Sequence, residues 1–153
     1  MLDPSYFMKL AIQEAEKAFE KKEIPVGCVI VHQGKIIAKS HNQVEQLKDP
    51  TAHAEMIAIT QASAYLNSWR LTDCTLFSTL EPCPMCAGGI HLARIPTVFF
   101  GAFDPKKGAC GSICDILRND KLNHQVQVYP SLFEKECSNL LTSFFQKLRQ
   151  SNL

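Results

Sequence analysis

Apolar residues recur every three or four positions near the start of the chain. Met8, Ala11, Ile12, Ala15, Ala18 and Phe19 make one face, glutamates and lysines fill the other, and Pro4 suits a first helical turn. This pattern predicts a helix that ends near Lys22, before Pro25. Residues 26–31 are an apolar run rich in β-branched side chains. Gln33-Gly34 is a turn signal, and residues 35–40 read as the second strand of a hairpin. A polar loop follows over residues 41–49, closed by Pro50. A second long helix is predicted over 55–66, a strand over 75–79, a helix over 84–93 after the break at Pro82, and a strand over 97–101. The segment 101–112 holds Pro105 and the glycines Gly101, Gly108 and Gly111, so it reads as loop. A helical turn over 115–118 and a short strand over 126–129 precede the last helix. There, Cys137, Leu140, Leu141, Phe144, Phe145 and Leu148 form a continuous stripe at helical spacing. Strands alternating with helices predict a layered α/β domain.

The 153 residues fit a single domain over 1–153, with a catalytic core at roughly 2–115 and a C-terminal helix at 132–150. Hydrophobic residues at 46% and charged residues at 20% are ordinary for a globular protein, and the net charge of +1 neither demands nor excludes a phosphate partner. No apolar run is long enough to cross a bilayer, and the first residues do not resemble a secretory signal. Seven cysteines, an odd number, then point to thiols in a reducing cytoplasm rather than to a disulfide framework.

The chemistry is concentrated in two short stretches. His53-Ala54-Glu55 is followed, about thirty positions on, by Pro82-Cys83-Pro84-Met85-Cys86. One histidine and two cysteines offer three ligands to zinc, one fewer than a closed tetrahedral structural site, which leaves a position for water. Cys83 and Cys86, three apart at a helix start marked by prolines, lie on one helical face roughly 60° apart. The unpaired amides and dipole there favour thiolate. His53 and Glu55 would point to opposite sides of a regular helix, so sharing one site requires His53 at the very start of its helix. Asp49-Pro50-Thr51 supports a start there, with Thr51 or Ala52 near the cap. Two blander readings compete. Cys83 and Cys86 could form a redox pair, or a structural zinc site completed by Cys110 and Cys114. Neither accounts for Glu55.

These motifs resemble those of the cytidine deaminase superfamily, and more narrowly of the bacterial tRNA-specific adenosine deaminases. The narrower resemblance rests on Ile24-Pro25-Val26-Gly27, His41-Asn42, the run 49–55, Thr79-Leu80-Glu81-Pro82-Cys83, Met85-Cys86-Ala87-Gly88, the run 100–106, Asn123-His124 and Phe144-Phe145. It implies a three-layer α/β/α fold with a five-stranded mixed sheet and helices on both faces, and a homodimer. The implied reaction is conversion of adenosine to inosine at the wobble position of a tRNA anticodon. It further implies one Zn2+ per subunit on His53, Cys83 and Cys86, with Glu55 carrying protons between water, the ring nitrogen and the departing ammonia. Asn42 would hold the target base, with Asp104 and Asn123 near neighbouring nucleotides of the anticodon stem-loop.

Plainer roles stand beside these. Asn42 and Asp104-Pro105 suit turns. Phe144 and Phe145 suit the core, His91 suits packing, and His124 suits a structural role or a minor RNA contact. Lys106, Lys107, Lys121, Lys147 and Arg149 are the cations available to phosphate. A guanine or free-nucleoside deaminase with the same metal chemistry is the alternative activity, and a catalytically silent zinc-stabilised RNA-binding module is the alternative class.

Overall fold

A computed structural model describes residues 3–151. The outermost positions of the 1–153 domain, and residue 2 at the expected start of the catalytic core, lie outside the described residues. The elements run α1 (Pro4–Glu20), β1 (Gly27–His32), β2 (Lys35–His41), α2 (Val44–Leu47), α3 (Ala54–Leu66), β3 (Cys74–Leu80), α4 (Pro84–Leu92), β4 (Thr97–Ala102), β5 (Gln127–Tyr129) and α5 (Glu134–Ser151). The five strands form one sheet in the order β2-β1-β3-β4-β5. β1 is antiparallel to both β2 and β3, whereas β3, β4 and β5 run parallel.

The sheet is covered on both faces, which explains why β1 reads as a continuous apolar run. Cys28 and Ile30 point into a core shared with Ala54, Ala58 and Ala62 of α3 and with Ala87 and Ile90 of α4. Val29 and Val31 point the other way, against Phe7, Met8 and Ala11 of α1. α5 packs beside α1 on that second face, against β4. α1 lies close to the sheet because residue 27 has no side chain: a Cβ there would overlap the Ala11 carbonyl oxygen. Gln33 and Gly34, both at positive φ, make the two-residue turn that joins β1 to β2.

Three local expectations change. The loop 41–49 contains α2, a single helical turn without its own hydrophobic period. Buried Glu23 supports it by accepting the amides of Glu45 (3.0 Å) and Gln46 (2.7 Å). That partner lies more than twenty residues upstream, beyond any local signal. The segment 115–118 is a turn rather than a helix. Cys110 and Asp115 form an isolated β-bridge, and the Asp115 carboxylate accepts the Arg118 amide at 3.2 Å. In α5 only the first half of the stripe is seated. Cys137 and Phe144 are buried, with Phe144 edge-on to Phe19 at 5.8 Å, while Phe145 and Leu148 are exposed.

α1 also carries a buried polar cluster. Glu14 binds Lys17 at 2.6 Å and His41 Nδ1 at 3.4 Å, at the end of β2 that leads into Asn42. Burial pushes the Glu14 carboxyl up, but the hydrogen bonds from Lys17 and His41 outweigh it and hold the group below its ordinary 4.5. A lowered carboxylate stabilises the fold above its unfolded pKa and loses that contribution as pH falls through the folded value. Glu14→Gln is therefore expected to cost on the order of 1 kcal/mol at neutral pH. The gap to the parent should close as pH drops below 4.5. Thermal melts of both proteins from pH 7 to pH 3 measure it, and a gap independent of pH would remove the charge-based account.

Candidate metal centre and active site

α3 and α4 bring their N-terminal ends together on one face of the sheet. His53 is the N-cap of α3 with extended backbone (φ −76°, ψ 150°), one step beyond the expected Thr51 or Ala52. Asp49 makes the turn that delivers it, accepting both the Thr51 amide (2.9 Å) and hydroxyl (2.7 Å). Because His53 precedes the helix, its ring and the Glu55 carboxylate in the first turn need not diverge. Cys83 is likewise the extended N-cap of α4, followed by Pro84 at the first helical position, and Cys86 lies one turn inside.

His53 Nδ1 stands 3.5 Å from both Cys83 Sγ and Cys86 Sγ. The three donor atoms lie within 4.8 Å of one another. A tetrahedral zinc with N at ~2.0 Å and S at ~2.3 Å requires N···S separations of about 3.5 Å. The donors thus fit zinc in spacing as well as in chemistry. Cys110 and Cys114 do not join them. Cys110 faces the Pro82 carbonyl at 3.9 Å and Cys114 is exposed, so a four-cysteine structural site does not form among the described residues.

Protonation in the metal-free centre is divided unevenly. A hydrogen bond from Cys86, with another from His53, brings the Cys83 thiol down to about 4. The same bond to Cys83, together with burial, drives the Cys86 thiol upward. This shared bond favours the thiolate form at Cys83 and the thiol form at Cys86. Loading a metal must release the Cys86 proton. The bond to Cys83 raises the His53 pKa against the opposing effect of burial. Glu55 is buried, and desolvation lifts its carboxyl to about 7. A carboxyl that titrates near neutrality is suited to both taking and giving a proton.

Asn42 is held beside His53 by backbone contacts on either side. Ser40 Oγ donates to the Ala54 carbonyl, and the Gln43 amide donates to the Ala52 carbonyl at 3.0 Å. The Asn42 amide proton goes to Val26, and its side-chain amide has no hydrogen-bond partner among the described residues, so it does not serve a turn. Asp104 does serve one: its carboxylate accepts the amides of Lys106 (3.1 Å) and Lys107 (3.2 Å). Asn123 lies in the segment between β4 and β5. His91 packs, with its ring 5.9 Å from that of His124, and is not among the donors; His124 Nε2 pairs with the Ile95 carbonyl at 2.9 Å, a structural contact.

Sequence reasoning gave Glu81 no role of its own. The visible signal for Glu81 was a lone carboxylate ending an apolar strand directly before Pro82.

A histidine and two cysteines at metal-binding separation, with a buried proton carrier alongside, define a zinc-dependent hydrolytic deaminase centre. Residues 1–102 match the cytidine and deoxycytidylate deaminase zinc-binding region. The tRNA-specific adenosine deaminase of Bacillus subtilis (strain 168) is 47% identical over 150 residues, covering 98% of this chain and 93% of that protein. A solved structure from a study of A-to-I editing by tRNA:A34 deaminases at the wobble position of transfer RNA superposes with a TM-score of 0.86 at 42% identity, over 90% of this chain and 99% of that one. The X-ray structure of guanine deaminase from Bacillus subtilis gives a TM-score of 0.66 at 34% identity, over 97% and 95% of the two chains. The chain belongs to this deaminase family, in the branch of the tRNA-specific adenosine deaminases.

Proposed function

We propose that this protein converts adenosine to inosine at the wobble position of a tRNA anticodon, with water as co-substrate and ammonia as the second product. The His53–Cys83–Cys86 spacing of 3.5 Å carries the chemistry, and likeness to named tRNA-specific deaminases along nearly the whole chain carries the choice of base.

One zinc per chain belongs on these three side chains, where its Lewis acidity lowers the pKa of a water from about 15.7 toward about 7. Glu55 takes the water proton and passes it to the adenine ring nitrogen as the new C–O bond forms. It then takes the second proton from the new hydroxyl group and delivers it to the departing amino group, so that ammonia leaves, the C=O forms and Glu55 ends ionised as it began. Because Glu55 lies in the first turn of the helix that His53 caps, carboxylate and metal ligand are fixed to one rigid element. Asn42, with its side-chain amide uncommitted, is assigned to the target base. Asp104 and Asn123 are assigned to flanking nucleotides. An anticodon loop already presents unpaired bases, which removes most of the cost of extracting one.

The protein is further taken to act as a homodimer in the cytoplasm. Leu92, 68% exposed at the end of α4, is the sort of apolar surface a second copy covers. All seven cysteines are free thiols, as suits a reducing compartment. No helix among the described residues is long and apolar enough to cross a membrane.

The test is to incubate the zinc-loaded protein with total tRNA, an anticodon stem-loop carrying adenosine at the wobble position, free adenosine and guanine. Ammonia release and inosine at that position are then followed. Inosine in the RNA, with little turnover of the free compounds, is the expected result. Turnover of guanine with untouched RNA would replace this reading with the small-molecule one, and binding without any deamination would replace it with the RNA-binding module.

A further inference from the structure

Glu81 directly follows β3, two residues before Cys83, and only 1% of its surface is exposed. No lysine or arginine among the described residues pairs with it. Its carboxylate accepts the amides of Asp104 (3.0 Å), Cys110 (2.9 Å) and Ser112 (3.0 Å), and the Ser112 hydroxyl. All four donors come from one loop, residues 104–112. The same loop is tied to the neighbouring residue, with the Ala109 amide on the Pro82 carbonyl at 2.8 Å. Glycine is required where the loop passes over the carboxylate: a Cβ on Gly108 would overlap its oxygens. A buried carboxylate is tolerable only while its hydrogen bonds are made. Its solvation therefore depends on this loop being seated.

The same loop carries two exposed lysines, Lys106 and Lys107. Asp104, at its start, turns the chain so that both lysine amides face inward.

We propose that Glu81 is a positioning residue: it clamps the 104–112 loop onto the chain just ahead of the cysteine ligands, so that the loop forms a rigid, positively charged wall for the incoming RNA strand. Glu81 touches neither the substrate nor the reacting atoms. The substrate side of this role rests on the tRNA reading above, while the clamp itself does not.

Glu81→Gln keeps the shape but turns one acceptor oxygen into a donor facing amide protons. Gly108→Ala attacks the same contact from the loop side. Ser112→Ala removes one hydroxyl donor and serves as the mild variant if the others fold poorly. In the zinc-loaded protein, Glu81→Gln is expected to speed hydrogen exchange at the Asp104, Cys110 and Ser112 amides about tenfold or more, with full zinc content. KM for the anticodon stem-loop should rise roughly tenfold while kcat stays within about threefold. Gly108→Ala should reproduce this, and the double variant should be no worse than either single one, because both break one contact. Ser112→Ala should give a weaker shift in the same direction. Unchanged exchange at the three amides would overturn the clamp. Faster exchange with unchanged KM, or a fall in kcat alone, would overturn its role in holding RNA. A parent protein that leaves the stem-loop undeaminated would instead overturn the tRNA reading, with the exchange data still deciding the clamp.

Discussion

Glu55→Gln is expected to abolish deamination, by at least about 10³-fold in kcat, with one zinc per chain retained. The glutamine fills the same space but cannot accept the water proton or return it to the leaving group. One feature separates this outcome from a general loss of structure. Burial lifts the Glu55 carboxyl to about 7 in the metal-free fold, against an ordinary 4.5. The folded chain then holds a proton that the unfolded chain releases between those values. Metal-free stability must therefore fall as pH rises through that window. The cost of ionising Glu55 is on the order of 2–3 kcal/mol once pH exceeds 7. Metal-free Glu55→Gln should thus be more stable than the metal-free parent at pH 8 and nearly equal to it at pH 4.5. A catalytic residue whose removal stabilises the scaffold is what burial of a functional carboxylate entails. Residual activity above a tenth of the parent's, or a variant less stable at pH 8, would refute the assignment.

Cys86→Ala should abolish both zinc binding and turnover. The thiol is fully buried against His53 and Cys83, so no solvent-exposed side chain can swing in to replace it. Chelation of the parent enzyme should mimic the variant. With free metal at 1,000 times its dissociation constant, bound zinc adds roughly 4 kcal/mol to stability. For a chain of this size, that corresponds to about 10 °C in Tm. Metal analysis and melting curves with and without chelator measure both effects. Cys110→Ala and Cys114→Ala serve as controls and should keep a full complement of metal. Zinc loss in either control, or full zinc in Cys86→Ala, would reinstate a different ligand set. Because zinc takes its cysteine ligands as thiolates, zinc uptake should also release the proton favoured on Cys86.

The metal centre was legible because its chemistry specifies atoms. Zinc needs nitrogen and sulfur donors, a helix start needs a turn such as Asp49-Pro50-Thr51, and the neighbouring glutamate is explained only by proton transfer. The expectation that His53 begins its helix followed from angles alone, and its place as N-cap bears that out. The two thiols were less legible. Their shared proton depends on Cys83 and Cys86 meeting each other and His53 at close range, which spacing along a helix does not determine. The stripe of α5 was misleading in extent: periodicity marks which residues share a face, not which of them are covered.

From the chain alone came the helices and strands, the three metal donors, the proton carrier and the layered α/β class, since each follows from the chemistry of neighbouring residues. The tertiary structure alone decided the strand order β2-β1-β3-β4-β5, the Glu23 support beneath α2, the Glu14–His41 pair and the seating of the 104–112 loop on Glu81. These features pair groups separated by some twenty to thirty residues. Their partners are selected by which buried polar groups must be satisfied once both faces of the sheet are covered, a condition no local pattern records.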